Sequence, residues 1–335
     1  MEDVITIVLD NQDILSGVCG ANDGNLKVIE GSIGGRITAR GNEIHLEGVD
    51  ETGLQRFKLM IDSLIAVVRE GESPSPEYVR ALAGTFGSDQ NGISQKIVQG
   101  QVLVKEYEEP DPIRQGVIQI PQGFNRVYPR SKNQAFYIQG MRSQEIAFCV
   151  GPAGTGKTFL AIAEALRLVL SKKMRKLVLT RPVVEAGESL GFLPGDLTQK
   201  IHPYLRPLYD AMEALIPYEV IRHLEETRTI EIAPLAYMRG RSLNDAMIIL
   251  DEAQNTTKEQ MKMFLTRLGG GSRAVITGDA TQIDLPKRVE SGLLHALSIL
   301  SDVEGIYFAY LHTGDVVRNP LIKKIIQAYD NERKP

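Results

Sequence analysis

The feature that most constrains this chain is the octapeptide GPAGTGKT at residues 151–158. It matches the phosphate-binding loop pattern G-x-x-x-x-G-K-[ST] in full. The strand-like run Glu145–Val150 precedes it, and the apolar helical run 159–170 follows it. A strand–loop–helix unit of this kind predicts an α/β domain that binds a nucleotide. The alternative is a glycine-rich turn that binds nothing, but both flanks have the context that the motif requires.

Each position of this loop has a predicted role in binding ATP and Mg²⁺. Glycines let the backbone curve so that its N–H groups face the phosphates. Lys157 is expected to reach the β- and γ-phosphates, and the Thr158 hydroxyl is expected to bind Mg²⁺. The predicted ATP-binding residues are Gly151, Pro152, Ala153, Gly154, Thr155, Gly156, Lys157 and Thr158.

A second element, AMIILDEAQN at 246–255, is a buried apolar strand followed by two carboxylates. Asp251 and Glu252 would lie at the carboxyl edge of the sheet, where ligands bind in open α/β folds. Asp251 suits a water-mediated contact with Mg²⁺, and Glu252 is placed to polarise the attacking water as a general base. The alternative is an acidic first turn of a helix.

A third element, 274–286, again passes from an apolar strand through glycine to a polar loop. Asp279 and Gln282 lie where a side chain could sense the γ-phosphate or the attacking water, and Gln282 is therefore a catalytic candidate. A turn stabilised by Asp and Thr side chains is the alternative.

Strand-like and helical runs alternate beyond residue 130, and this alternation predicts a parallel sheet with helices on both faces. The predicted strands are Ile146–Val150, Lys176–Thr180, Thr229–Ala233, Ala246–Asp251, Arg273–Thr277 and Gly305–Leu311. Residues 1–104 form a predicted small α+β domain, 105–130 a linker or wrapping segment, and 131–335 the ATPase domain.

Composition excludes several classes of protein. Of 335 residues, 38 are basic and 42 acidic, so any contact with nucleic acid must come from a local basic patch. Two separated cysteines exclude a disulfide framework and fit a reducing compartment. The apolar N-terminal run is too short for a signal peptide and no stretch could span a membrane, so we expect a cytoplasmic protein without membrane contact.

Six segments in order resemble the PhoH-like proteins: GPAGTGKT, 178–197, 202–211, 237–255, GDATQIDLP and DVVRNPLI at 315–322. The resemblance covers nearly the whole chain. It implies a RecA-like P-loop ATPase, similar in its motifs to the first motor domain of superfamily 1 helicases, with a suspected role in RNA metabolism.

The resemblance also implies individual roles. Gln134 occupies the place of the helicase glutamine that reads adenine, with a surface helix residue as the alternative. Thr180, Arg181 and the loop 187–191 fall where such motors contact a single strand. Arg239 and Arg241 flank Gly240 in a compact cationic loop that could bind phosphates, unless they are ordinary solvated arginines.

Residues 31–34 have the GxxG spacing of KH modules, which clamp a nucleic-acid backbone, although no basic residue lies between the glycines. We expect a KH-like fold without RNA binding at that loop.

The leading functional hypothesis is an RNA-dependent ATPase. An ATP-switched RNA-binding scaffold that recruits other RNA enzymes is the alternative, and a small-molecule kinase is disfavoured because Glu252 suits water activation.

A translocase needs a second wall for its ATP site, which argues against helicase activity by a monomer. Arg318 follows the last predicted strand, and Asn319-Pro320 predicts the start of a rigid helix directly after it. A head-to-tail contact would close into a homo-oligomeric ring, expected to be a hexamer, in which Arg318 reaches a neighbour's ATP. The alternative for Arg318 is a salt bridge with Asp315.

Overall fold

A computed structural model describes residues 5–87, 112–182, 197–286 and 288–316. The chain forms two compact units. The first contains residues 1–115 and 128–132, and the second contains 116–127 and 133–335. Part of the predicted linker at 105–130 thus belongs to the second unit.

The first unit combines a three-stranded antiparallel sheet, in the order β1-β3-β2, with helices. Its elements are β1 (Ile5–Val8), α1 (Gln12–Cys19), α2 (Gly24–Ile33), β2 (Arg36–Arg40), β3 (Glu43–Glu47), α3 (Glu51–Arg69), α4 (Pro76–Gly87) and α5 (Pro112–Gln115). In the sheet, His45 is opposite Thr6 on one side and Thr38 on the other.

Local capping sets the helix boundaries of this unit. The Asn11 side chain accepts a hydrogen bond from the first turn of α1, and Asp50 does the same for α3. Gly34 ends α2 in the left-handed conformation, with φ of 77°. The GxxG segment at 31–34 is therefore the last turn of α2 and its cap. The KH-like fold stays a prediction.

The second unit contains a six-stranded sheet and a two-stranded antiparallel ribbon of β4 and β5. Its elements are β4 (Ile118–Gln119), β5 (Arg126–Val127), α6 (Lys132–Ser143), β6 (Ile146–Val150), α7 (Lys157–Leu170), β7 (Lys176–Arg181), α8 (Leu197–Glu213), α9 (Tyr218–Glu226), β8 (Ile230–Pro234), β9 (Ala246–Leu250), α10 (Lys258–Leu265), β10 (Arg273–Gly278), α11 (Gly292–Ile299) and β11 (Ile306–Tyr310).

All neighbouring strands of the large sheet are parallel, in the order β11-β6-β10-β9-β7-β8. Alternate residues of each strand face opposite sides. Ala147 and Cys149 of β6 pack in one apolar core, whereas Phe148 and Val150 pack in another. The prediction of a parallel α/β sheet covered by helices on both faces is confirmed.

The strand order decides which polar residues become neighbours. Strand β10 lies between β6 and β9, and β7 lies on the far side of β9. Parallel strands end at the same edge, so four distant segments meet there. They bring together the loop at Gly151, Asp279 after β10, Asp251 after β9 and Arg181 at the end of β7.

Candidate active site

The phosphate-binding loop connects β6 to α7, as its spacing predicts. Gly154 and Gly156 have φ values of 80° and 84°, a left-handed backbone that glycine adopts without strain. A Cβ atom on Gly151 would lie 2.5 Å from the Leu311 carbonyl oxygen, so only glycine fits where the loop passes β11.

Lys157, the first residue of α7, folds its side chain back over this loop. Its Nζ donates hydrogen bonds to the carbonyl oxygens of Gly151 at 2.6 Å and Pro152 at 2.9 Å. The ammonium group is thereby held above the glycines. Phosphate oxygens are charged acceptors and bind an ammonium more strongly than these carbonyls do.

Two hydroxyl groups converge on one carboxylate oxygen of Asp251. Thr158 Oγ1 donates to Asp251 Oδ1 at 2.6 Å, and Thr277 Oγ1 donates to the same oxygen at 2.7 Å. Hydroxyl and carboxylate oxygens are the hard ligands that Mg²⁺ prefers. Thr158 and Asp251 therefore fit the predicted metal position.

The structure describes no group of three or more His, Cys, Asp or Glu side chains that could hold a metal ion. The donor set at Thr158 and Asp251 contains only two protein side chains. This fits Mg²⁺, which usually binds through one or two carboxylates together with substrate phosphates and water.

Glu252 is oriented by two donors. Arg181 Nη2 donates to Glu252 Oε1 at 2.6 Å, and Gln254 Nε2 donates to Glu252 Oε2 at 2.5 Å. The backbone of Glu252 is left-handed, with φ of 53°. A non-glycine residue in this conformation costs about 1–3 kcal/mol, and such strain is concentrated at functional sites.

Arg181 links both carboxylates of the site to α8. Its Nε lies 3.7 Å from Asp251 Oδ2, and its Nη1 donates to the Tyr204 carbonyl oxygen at 2.8 Å. The family resemblance predicts that this residue contacts RNA. The structure gives it a direct contact with the predicted general base, so any RNA contact has to compete with Glu252 for the guanidinium.

Asp279 has one satisfied and one unsatisfied carboxylate oxygen. Oδ1 accepts hydrogen bonds from the backbone N–H and the hydroxyl of Thr281. Oδ2 is buried without a partner among the described residues, and the side chain is 5% exposed. A buried carboxylate oxygen without a donor is costly, so this atom indicates a position where a ligand, water or metal belongs.

A pocket of about 250 Å³ joins these groups. Lys157, Thr158, Asp251, Glu252 and Asp279 line it, and so does the exposed side chain of Gln282. The structure thus brings together the predicted lysine, metal ligands, base and glutamine in one cavity.

Gln134 lies beneath the loop. Its Nε2 donates to the Thr155 carbonyl oxygen at 2.9 Å, and the residue is 2% exposed. On the same helix, the Tyr137 hydroxyl donates to the Lys157 carbonyl oxygen at 3.3 Å, and burial raises the pKa of Tyr137 well above its usual value. Both side chains brace the loop. The contact of Gln134 with adenine stays a prediction.

The other predicted RNA contacts are dispersed. Thr180 is fully buried, so contact with RNA would require the surface above it to open. Arg239 is exposed beyond the carboxyl end of β8. Arg241 forms two hydrogen bonds with Glu231, near the opposite end of that strand, at 2.5 and 2.9 Å. The two arginines therefore do not form one compact cationic loop.

Arg318 and the loop 187–191 lie outside the described residues, so their predicted contacts stay predictions. Asp315, the alternative partner of Arg318, accepts hydrogen bonds from Asn133 Nδ2 at 3.1 Å and from the His312 N–H at 2.7 Å.

Sequence reasoning missed Thr277 and Gln254 as parts of this site. Both belong to predicted site segments, one at the end of β10 and one shortly after Glu252. Their polar side chains next to an apolar strand were the available signal.

In the part of the chain that the structure describes, no helix is long and apolar enough to cross a membrane.

Comparison with known proteins gives consistent matches. A family model described as PhoH-like protein matches residues 126–330. A PhoH-like protein of Mycobacterium tuberculosis (strain ATCC 25618 / H37Rv) is 44% identical over 323 residues, covering 96% of this chain and 87% of its own length. A PhoH-like protein of Bacillus subtilis (strain 168) is 43% identical over 325 residues, covering 97% of this chain and 96% of its own length. Protein PhoH of Escherichia coli (strain K12) is 41% identical over 205 residues, covering 61% of this chain and 58% of its own length.

Proposed function

Because this chain belongs to the PhoH-like protein family and has a P-loop nucleotide-binding fold, we propose that it is an Mg²⁺-dependent ATPase stimulated by single-stranded RNA. The observation that carries the ATPase part is the pocket in which Lys157, the Thr158–Asp251 pair and Glu252 meet. These are the groups that phosphoryl transfer to water requires.

The proposed metal position is supported by the Thr158 hydroxyl and the Asp251 carboxylate. When bound, Mg²⁺ would neutralise charge on the β- and γ-phosphate oxygens of ATP. Lys157 would exchange the carbonyl oxygens of Gly151 and Pro152 for phosphate oxygens, so its positive charge would move onto the substrate.

Glu252 would act on the attacking water. Its carboxylate takes a proton as the water oxygen bonds to the γ-phosphorus and the bond to the β-phosphate oxygen breaks. Arg181 and Gln254 already restrict the rotation of this carboxylate. Both oxygens of this base already accept a hydrogen bond, so a ligand that removes one donor would raise its capacity to take a proton.

The RNA part of the proposal is supported by the family's motifs and by two arginines at the carboxyl edge of the sheet. Arg239 is exposed after β8, and Arg181 lies at the end of the neighbouring strand β7. A phosphate that attracts Arg181 would release one oxygen of Glu252. This exchange offers a direct route from RNA binding to ATP hydrolysis.

A slow ATP-switched scaffold that recruits RNA-processing enzymes is the second candidate. The observation that favours it is the engagement of both Glu252 oxygens, by Arg181 and by Gln254. A base held in this way turns ATP over slowly until a ligand releases it.

We also propose that the protein works in the cytoplasm as a homo-oligomeric ring, expected to be a hexamer, with Arg318 of one copy reaching the ATP of the next. A single domain presents its nucleotide at an open sheet edge. An arginine supplied by a neighbour would complete the charge stabilisation there.

Phosphate release from Mg²⁺·ATP, measured with and without single-stranded RNA, tests the proposed function. Release that rises several-fold with RNA supports the stimulated ATPase. Slow release that ignores RNA, together with ATP-dependent RNA binding, supports the scaffold. Absence of release above a protein-free blank would overturn the ATPase.

A further inference from the structure

A second and larger cavity lies at the opposite end of α7 from the active site. We call it the basic cleft; it has a volume of about 660 Å³, and its walls include Val117, Gln119, Arg142, Arg167, Lys173 and Arg273. Helix α7 begins at the phosphate-binding loop and runs for 14 residues, so the cleft lies about 20 Å from the pocket described above.

Among the described residues, the lining of the basic cleft carries four positive charges and no acidic side chain. The carboxylate next to it belongs to Glu164, which is fully buried between Arg142 and Arg167. The site therefore has a local net charge of about +3 within a chain whose net charge is −4. Such local segregation of charge attracts anions.

The arginines of the basic cleft are held in place before any ligand binds. Arg142 and Arg167 each make two hydrogen bonds to Glu164, at distances between 2.5 and 3.2 Å. Arg273 donates to the Met141 and Arg142 carbonyl oxygens at the end of α6. These side chains have therefore already lost conformational entropy. An anion that binds here pays a smaller entropic cost, because the arginines do not have to be ordered on binding.

The shape and chemistry of the cleft favour a chain of phosphates over a single nucleotide. The lining residues that the structure describes include no aromatic ring on which a base could stack. Lys172 and Arg175 are adjacent in sequence to the lining residues Lys173 and Met174, and both are exposed, so they add positive charge to the same segment. Its volume also exceeds what one phosphate group fills.

We propose that the basic cleft binds the phosphate backbone of single-stranded RNA. This inference rests on the proposed function, because that function names RNA as the partner. It places an anchoring contact at the amino edge of the sheet, separate from Arg181 and Arg239 at the carboxyl edge. The contact is independent of base sequence because phosphates carry no sequence information.

The test compares Lys173→Glu and the double variant Lys172→Glu/Lys173→Glu with Lys262→Glu as a matched control. All three lysines are exposed, so the fold is expected to remain intact. Arg142 and Arg167 are left unchanged, since their removal would leave Glu164 buried without a partner. The affinity for a fluorescent single-stranded oligoribonucleotide is measured over a series of salt concentrations, without ATP.

We expect Lys173→Glu to weaken RNA binding roughly tenfold, and the slope of log affinity against log salt to fall by about 0.7 for each phosphate that the variant no longer binds. The double variant should bind more weakly still, and Lys262→Glu should match the wild type. Equal affinity in all four proteins would overturn the proposal. Full competition by inorganic phosphate at matched ionic strength would also overturn it, because the site would then bind small anions.

Basal ATP hydrolysis, measured on the same proteins, separates this inference from the proposed function. RNA binding that depends on Lys173 while hydrolysis ignores RNA supports the cleft and overturns only the stimulation. RNA-stimulated hydrolysis with binding unchanged in both variants overturns only the cleft. A wild-type protein that does not bind RNA overturns both.

Discussion

The Arg181 guanidinium donates a 2.6 Å hydrogen bond to Oε1 of Glu252, across 71 positions of sequence. The same group lies 3.7 Å from the Asp251 carboxylate. One arginine therefore contacts both acidic side chains that follow β9, the metal ligand and the base of the proposed reaction. This relationship makes Arg181 a positioning residue whose removal is expected to change how ATP hydrolysis responds to RNA.

Arg181→Met should raise ATP turnover in the absence of RNA and reduce the stimulation by RNA, because Glu252 loses the donor on Oε1. Arg181→Lys is the matched control and should retain part of both properties, since a lysine keeps the charge. Steady-state turnover with and without RNA provides the measurement. A lower rate under both conditions would show instead that the arginine is needed for the chemical step.

Lys157→Ala and Glu252→Gln should separate phosphate contact from proton transfer. The lysine variant is expected to lose ATP hydrolysis because the charge on the β- and γ-phosphates is gone. The glutamine variant should still bind ATP, while hydrolysis falls by roughly two to four orders of magnitude. Equilibrium binding and single-turnover hydrolysis are measured on both. Normal hydrolysis by Glu252→Gln would exclude this residue as the base.

Arg241→Ala should destabilise the second unit in a pH-dependent way. Hydrogen bonds from Arg241, together with an ion pair to Lys176, lower the pKa of Glu231 to about 2. A carboxylate with a lowered folded-state pKa contributes stability above its unfolded pKa, and this stability disappears as pH falls through the folded pKa. The variant's deficit in unfolding free energy, about 1–3 kcal/mol near neutral pH, should therefore shrink between about pH 4.5 and about pH 2.

Denaturant titrations at a series of pH values measure this deficit, with Arg239→Ala as the exposed control. Arg239→Ala should leave stability unchanged and weaken RNA binding. A constant deficit of Arg241→Ala across the acidic range would contradict the assigned role of Glu231.

Mixing two inactive variants tests the proposed ring. Lys157→Ala subunits lack the lysine, and Arg318→Ala subunits lack the arginine. Mixed assemblies should regain part of the ATPase activity, because some interfaces pair an intact loop with an intact arginine. ATP turnover is measured after co-assembly, and the measured mass of the assemblies shows whether they contain both variants. No recovery from verified mixed assemblies, or an active monomer, would reject the role of Arg318 in trans.

Local sequence was sufficient to predict the six strands of the large sheet and the helix after the phosphate-binding loop. The run Ile146–Val150 is a strand with the predicted limits, and the helix after the loop begins two residues before the predicted start at 159. Apolar periodicity and glycine spacing predict these elements because the strand, the loop and the helix follow one another in a single stretch of sequence. In the first unit, Gln12–Cys19 is a helix that the sequence pattern does not predict, since eight residues contain too few turns for a clear period.

The tertiary structure alone decided which side chains meet. Sequence identified Asp251 and Glu252, but not Thr277 as a donor to the first or Arg181 as a donor to the second. Sequence spacing does not determine the order of parallel strands in a sheet. Here that order places β10 and β7 on either side of β9. One short segment was therefore sufficient to predict that the loop binds phosphate. The hydrogen bonds that orient Glu252 could not be predicted in this way, because they form only when the ends of distant strands align in the folded sheet.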